Sequence, residues 1–286
     1  MTDRWAQWLL ERRHDGDEAA LAEMLRLLEP IRDRVLEDAA IEPGEVVLDV
    51  GCGDGLIGFG ALRLVGPDGR VIFSDVSQEL LDRCVEIAGG DERCSFVRAA
   101  ATDLGEIPDG SVDVVTVRSV LIYVDDRDAA FAEFFRVLRT DGRLSVFEPL
   151  NSFEYPGPAD SWGPWDVTPV RELADRVKGV FTAIHDGAGN SMHDFGAEDI
   201  AGWAERAGFA EVCVNATYEL TPARPRPNWD ADEHQAANPL VPSLAEAIDS
   251  VLDHEEAARF RAHLRGQALA GDGVERGAHA HLRAVR

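Results

Sequence analysis

Asp49, Gly51, Gly53 and Gly55 alternate through Val46-Val47-Leu48-Asp49-Val50-Gly51-Cys52-Gly53-Asp54-Gly55, and Asp75 follows 20 residues after the last glycine. A short, β-branched apolar run that stops at an acid and opens into glycines reads as a buried strand feeding a tight turn, with Leu56 to Val65 as the helix after it. Glycines at such a turn let the backbone come close to a ligand, and free N–H groups at the helix start favour an anionic group such as a carboxylate. A dinucleotide fingerprint would need glycine at position 56, where the chain has Leu56, so a nicotinamide or flavin ligand starts at a deficit. Asp75 closes a second apolar run, Arg70 to Val76. A carboxylate there presents two acceptor oxygens to the two ribose hydroxyls of a nucleoside, while Ser77 is as well placed to cap the next helix.

These groups need a scaffold of strand ends, and the chain supplies one. Helix Gln78 to Ala88 stops at Gly89-Gly90, and Ser95 to Ala100 is a third strand leading to Thr102-Asp103-Leu104. Val112 to Val117 is a fourth strand, apolar enough to be central, and Arg118-Ser119 follow it. Asp125, Asp126 and Asp128 open a helix carrying Phe131, Phe135 and Leu138, where acids complement the helix dipole rather than bind a metal. Arg143 to Phe147 is a fifth strand ending at Glu148. Right-handed crossovers turn this alternation into a doubly wound parallel sheet with ligands at the carboxyl ends of its strands, where Asp49, Asp75, Asp103, Arg118 and Glu148 all fall.

Asp49-x-Gly51-x-Gly53-x-Gly55, with the acids and strand exits that follow it, resembles the class I S-adenosylmethionine-dependent methyltransferases, closest to the type 11 small-molecule branch, over residues 46 to about 150. The resemblance implies a mostly parallel seven-stranded α/β sheet whose seventh strand lies antiparallel between the fifth and sixth. It implies S-adenosyl-L-methionine as cofactor and a small-molecule methyl acceptor. Asp49, Gly51, Cys52, Gly53, Gly55, Asp75, Val76, Thr102, Asp103, Leu104, Arg118 and Ser119 would then surround the cofactor, with Asp103 at the adenine amino group and Val76 and Leu104 against its ring. Arg118 to Val124 resembles the segment that runs beneath the sulfonium in small-molecule methyltransferases, where many relatives carry His in place of Tyr123. Candidate bases are Tyr123, Glu148, His185 and His193. Two other readings keep the fold: a non-methylating enzyme that uses S-adenosylmethionine for cyclisation or rearrangement, and a partner subunit without turnover.

Residues 3 to 40 read as two or three amphipathic helices, with Pro30 in the first turn of the third and Trp5 and Trp8 as core residues. The expected organisation is a helical lid over 1–42, a cofactor-binding core over 43–150, a cap insertion over 151–190 with a short helix near Val170 to Val177, a core helix and strand over 191–220, a Pro-rich and helical cap over 221–273, and a final core strand over 274–286. The two irregular segments would build the acceptor site. With 28 basic and 53 acidic residues, a net charge of −25, most of the surface repels a polyanion, which argues against nucleic acid. Cys52, Cys84, Cys94 and Cys213 show no C-x-x-C spacing, which suggests reduced, mostly buried thiols and disfavours the arsenic methyltransferases. His279 and His281 lack a third ligand nearby, so no metal is expected. The absence of an apolar N-terminal region or a spanning segment suggests a cytoplasmic location.

Overall fold

A computed structural model describes residues 3–13, 18–155, 157–187 and 192–286. Five parallel strands, three of them followed directly by a helix, build the core. Strand β1 (Val46–Val50) leads to helix α3 (Leu56–Leu64), β2 (Arg70–Asp75) to α4 (Gln78–Ala88), and β3 (Cys94–Arg98) passes through a loop to β4 (Val112–Arg118), α5 (Arg127–Val137) and β5 (Leu138–Pro149). Helix α7 (Ala197–Ala207), β8 (Ala210–Pro222) and β9 (Val274–Val285) complete it. The seven strands lie in the order β3-β2-β1-β4-β5-β9-β8, with β9 antiparallel to both neighbours, as the resemblance implied.

Apolar residues on both sheet faces explain the double winding. Helices α2 (Glu18–Ala39) and α3 pack Val35, Leu36, Ile57 and Ala61 on one face, and α5 and α7 pack Phe131, Phe134, Ile200 and Trp203 on the other. The connection from β1 runs to β2 on one side while β4 lies on the other, so the chain parts above the β1–β4 boundary and leaves a crevice there.

The segment before β1 differs from its sequence reading. Helix α1 (Arg4–Gln7) runs into a π-helical turn, Trp8–Arg12, and α2 then continues straight through Pro30. A proline inside a helix removes one backbone hydrogen bond, and burial of Val35, Leu36 and Ala39 against the sheet outweighs that loss.

The cap has a core of its own. Helix α6 (Arg171–Gly187) is much longer than the short helix expected, because Leu173, Ala174 and Val177 are buried against α9 (Leu244–Val251) and α10 (His254–Ala270). A small hairpin, β6 (Ser161–Trp162) with β7 (Trp165–Asp166), and the short helix α8 (Trp229–Asp232) were not anticipated; Trp165 and Trp229 join the cap core with ring centroids 5.0 Å apart. Among the described residues, no helix is long and apolar enough to cross a membrane.

Candidate active site

The strand ends of β1, β2, β4 and β5 open into one cavity of about 1490 Å³ that continues under the cap. Ordinary ligand pockets enclose roughly 300–1,000 Å³, so this one has room for two ligands side by side. Gly51 and Gly53 form its floor with φ of +63° and +56°, a conformation that side-chain-bearing residues rarely adopt. A Cβ on Gly51 would collide with Val120, and one on Gly53 would lie 3.2 Å from Leu9 Cδ2. Gly55 caps α3 in the left-handed conformation and is not in the cavity wall.

Asp75 lines the cavity. Its Oδ2 accepts from the Gly53 N–H and its Oδ1 from the Ser77 N–H, both at 2.9 Å, so it ties the glycine turn to the end of β2. Each carboxylate oxygen keeps a second lone pair for a ligand hydroxyl. Burial raises its pKa, the N–H groups of Ser77, Gly53 and Val76 oppose that shift, and the charge of Asp3 adds to it. Asp49 is different. It is 1% exposed and lies under the turn, where it accepts from the Gly58 N–H at 2.9 Å and the Thr116 hydroxyl at 3.0 Å. Burial pushes its pKa up to about 7. The direct ligand contact expected of Asp49 is therefore corrected to anchoring the first turn of α3 against β1 and β4. Cys52 is also beneath the floor, its thiol and that of Cys84 both directed at the Gly53 carbonyl.

The ring wall needs a similar correction. Val76 and Thr102 line the cavity, but Leu104 is wholly buried in the sheet core, and exposed Asp103 accepts from the Gly105 N–H outside the cavity wall. Ala99, Ala100 and Ala101 line the cavity instead of Leu104. Arg118 and Ser119 line the cavity at the end of β4. Ser119 holds φ +55°, fixed by its N–H bond to the Phe147 carbonyl at 2.9 Å, and such a conformation is stored strain near a site.

Of the candidate bases, Tyr123 and His193 reach the cavity. Trp5 meets the Tyr123 ring edge-on at 4.9 Å, and burial, with Glu148 nearby, raises the phenol pKa. Glu148 is 0% exposed. Its Oε1 accepts from the N–H groups of Val120 at 2.8 Å and Leu121 at 2.9 Å, and its Oε2 from Ile122 at 3.4 Å. Expected as a base, it instead holds the 3₁₀ turn that carries Tyr123, and burial raises its pKa to about 7. His193 stacks on Tyr155 with ring centroids 4.5 Å apart. The backbone of His185 belongs to α6, while its side chain lies outside the described residues.

Residues of the lid and cap in this wall escaped the sequence reading. Trp5, Trp8, Leu9 and Arg13 reach it from the N-terminal segment, and Glu154, Lys178, Phe181 and Arg276 from the cap side. The i, i+3, i+4 spacing of Trp5, Trp8 and Leu9 marked a buried face, but nothing local says that the face covers a cavity instead of a sheet. Glu154 lines the cavity, where burial raises its pKa and Arg276 opposes the rise. Among the described residues, no three His, Cys, Asp or Glu groups converge as metal ligands.

Residues 48–146 match the family described as a methyltransferase domain. The chain is 31% identical over 191 residues to nocamycin O-methyltransferase of Saccharothrix syringae, covering 64% of this chain and 65% of that protein. It is 30% identical over 194 residues to arsenite methyltransferase of Halobacterium salinarum, covering 65% of this chain and 49% of that protein. Both matches span less than two thirds of the relative's own length. Among solved structures, the 4+2 cyclase SpnF aligns over 90% of this chain and 80% of its own with a TM-score of 0.50 at 22% identity. Phosphoethanolamine N-methyltransferase 2 of Haemonchus contortus, solved with S-adenosylhomocysteine, aligns over 90% of this chain and 52% of its own with a TM-score of 0.52 at 16% identity. These two share the fold. Over residues 48–146 the chain is thus similar to a methyltransferase domain, and its glycine turn and seven-strand order accompany that match.

Proposed function

We propose that the chain binds S-adenosyl-L-methionine along the strand ends and transfers its methyl group to an oxygen or nitrogen of a small molecule held under the cap. The observation that carries this reading is the single cavity that runs from Gly51, Gly53 and Asp75 to Tyr155, Trp162, Phe181 and His193 without a dividing wall. The residues fit the cofactor: on the floor a glycine, Gly51, with no space for a Cβ, an acid with acceptor oxygens at the ribose position, and small side chains along the ring wall. The bound cofactor supplies an electrophilic methyl on a sulfonium. The chain itself aligns the acceptor for in-line attack and keeps water out, and Trp5, Trp8 and Leu9 above the glycine turn serve that exclusion.

Aromatic side chains dominate the acceptor end, so the acceptor presents a flat or apolar body, and its reacting atom sits near Tyr123. With Glu148 withdrawn into backbone bonds, His193 and Glu154, which line the cavity beside Tyr155, are the groups that would take a proton from a hydroxyl or ammonium. Calorimetric titration with S-adenosylmethionine, S-adenosylhomocysteine and NADH, followed by transfer of a labelled methyl to a panel of phenols, enols and amines, tests the proposal. Binding of the first two ligands and a methylated product would support it. Adenosyl binding with acceptor turnover but no methylated product would favour cyclisation or rearrangement instead.

A further inference from the structure

Lys178 is the single lysine among the 28 basic residues of the chain, and it lines the cavity from α6. That helix turns two stripes to two places. Leu173, Ala174 and Val177 pack into the cap core, while Lys178, Phe181 and Thr182, spaced i, i+3 and i+4, share a neighbouring stripe on the cavity wall. The half-buried ammonium donates to the Ala159 carbonyl at 3.0 Å, which occupies one of its three donors. On the same helix Arg171 takes Asp175 at 3.8 Å and Arg176 takes Glu256 at 2.6 Å, but among the described residues Lys178 has no carboxylate within ion-pair distance. Burial disfavours its charge, Asp175 and Asp160 act in its favour, and Arg171 acts against it.

The rest of the cap wall is balanced in charge and aromatic. Arg226 pairs with Glu275 at 3.2 Å, and the charge of Arg276 favours the Glu154 carboxylate. Trp162 meets the Phe181 ring edge-on at 5.7 Å, and the Tyr155 hydroxyl lies 3.0 Å from that of Thr182. One cation without a counter-ion therefore stands beside flat apolar surfaces, in a chain whose 53 acidic residues outnumber its 28 basic ones. An ammonium that has given up water without gaining a carboxylate is stabilised when a ligand supplies one. We infer that Lys178 receives a carboxylate carried by a flat, aromatic methyl acceptor whose body lies against Trp162, Phe181 and Tyr155. The inference rests on the methyl-transfer reading above, and it narrows the acceptor from phenols, enols and amines in general to aromatic acids.

Lysine suits this task better than the arginine used everywhere else in the chain. A guanidinium fork fits a carboxylate fixed in one plane, whereas a compact ammonium on a flexible stem follows an anion whose position depends on the body that carries it. The same charge repels ammonium compounds, so cationic amines should be poor acceptors.

The test titrates 2-naphthoate and its neutral counterpart 2-naphthamide by calorimetry into the chain saturated with S-adenosylhomocysteine, using the wild type, Lys178→Gln and Lys178→Arg. The wild type should bind the carboxylate about ten- to a hundredfold more tightly than the amide, the range for a charged hydrogen-bond partner. Lys178→Gln should bring the two compounds within about twofold of each other, and Lys178→Arg should keep most of the preference. A lysine that only tethers Ala159 would, on substitution, weaken both compounds alike. Acylation of Lys178 by a succinimidyl ester, read by peptide mass spectrometry, should slow with 2-naphthoate and not with 2-naphthamide. Equal wild-type affinity for the two compounds, failure of 2-naphthoate to bind, or a preference that Lys178→Gln keeps would overturn the inference, and S-adenosylhomocysteine binding with methyl transfer to neutral phenols would then leave the reading beneath it intact. Failure of S-adenosylhomocysteine to bind a folded sample would overturn both.

Discussion

Replacing Gly51 with alanine should damage the cleft in two separable ways. The residue holds φ +63°, and an L side chain in that region costs about 1–2 kcal/mol. The new Cβ would also penetrate the Val120 side chain, with Val120 Cγ1 at 3.3 Å and Cγ2 closer still, and overpacking of this kind costs about 1–3 kcal/mol. Gly51→Ala is therefore expected to lose about 2–5 kcal/mol in urea denaturation, and to bind S-adenosylhomocysteine more weakly because relief of the collision moves the turn into the cavity. Val120→Ala removes the collision but not the backbone strain, so in the double variant about 1–3 kcal/mol of coupling should return. Val120 is half-buried, and its own truncation should be mild. A single variant within about 0.5 kcal/mol of wild type, or strict additivity of the two substitutions, would refute the assignment of Gly51 to a turn closed from below by Val120.

Asp75→Asn should weaken S-adenosylhomocysteine binding by about 1–3 kcal/mol, and unchanged affinity would remove Asp75 from the ribose. Tyr123→Phe keeps the ring against Trp5 and should slow turnover more than it weakens cofactor binding; equal turnover would reduce Tyr123 to packing. Burial holds Glu148 at about 7 against its ordinary 4.5, so between these values the folded chain keeps a proton that the unfolded chain has released. Stability from this group is therefore lost as pH rises from about 4.5 to 7, by at most about 3 kcal/mol, and is constant above. Glu148→Gln should flatten that part of the pH–stability curve and leave the share due to Asp49, which shifts the same way; an unchanged curve would contradict it.

The sequence by itself determined the fold and the glycine turn on the cavity floor. Strand-sized apolar runs ending at Asp49, Asp75 and Arg118, separated by helices, allow one chirality of winding, and three alternating glycines mark where a backbone must turn sharply. These signals are local, with partners a few residues away. Which acid faces a ligand was not local. Asp49 and Glu148 stand near strand ends like Asp75, and Asp103 follows in the loop after β3, yet Asp49 and Glu148 turn into backbone N–H groups and exposed Asp103 accepts from Gly105, because the three-dimensional course of each following loop decides which hydrogen-bond donors lie nearest. The far wall of the cavity was decided by tertiary structure alone. Trp5, Arg13, Glu154, Lys178 and Arg276 come from segments up to 271 positions apart, brought to one cavity by the packing of α6, α9 and α10 into a separate core and by the antiparallel return of β9. A periodicity can show that a side chain is buried, but what it is buried against depends on contacts between distant segments.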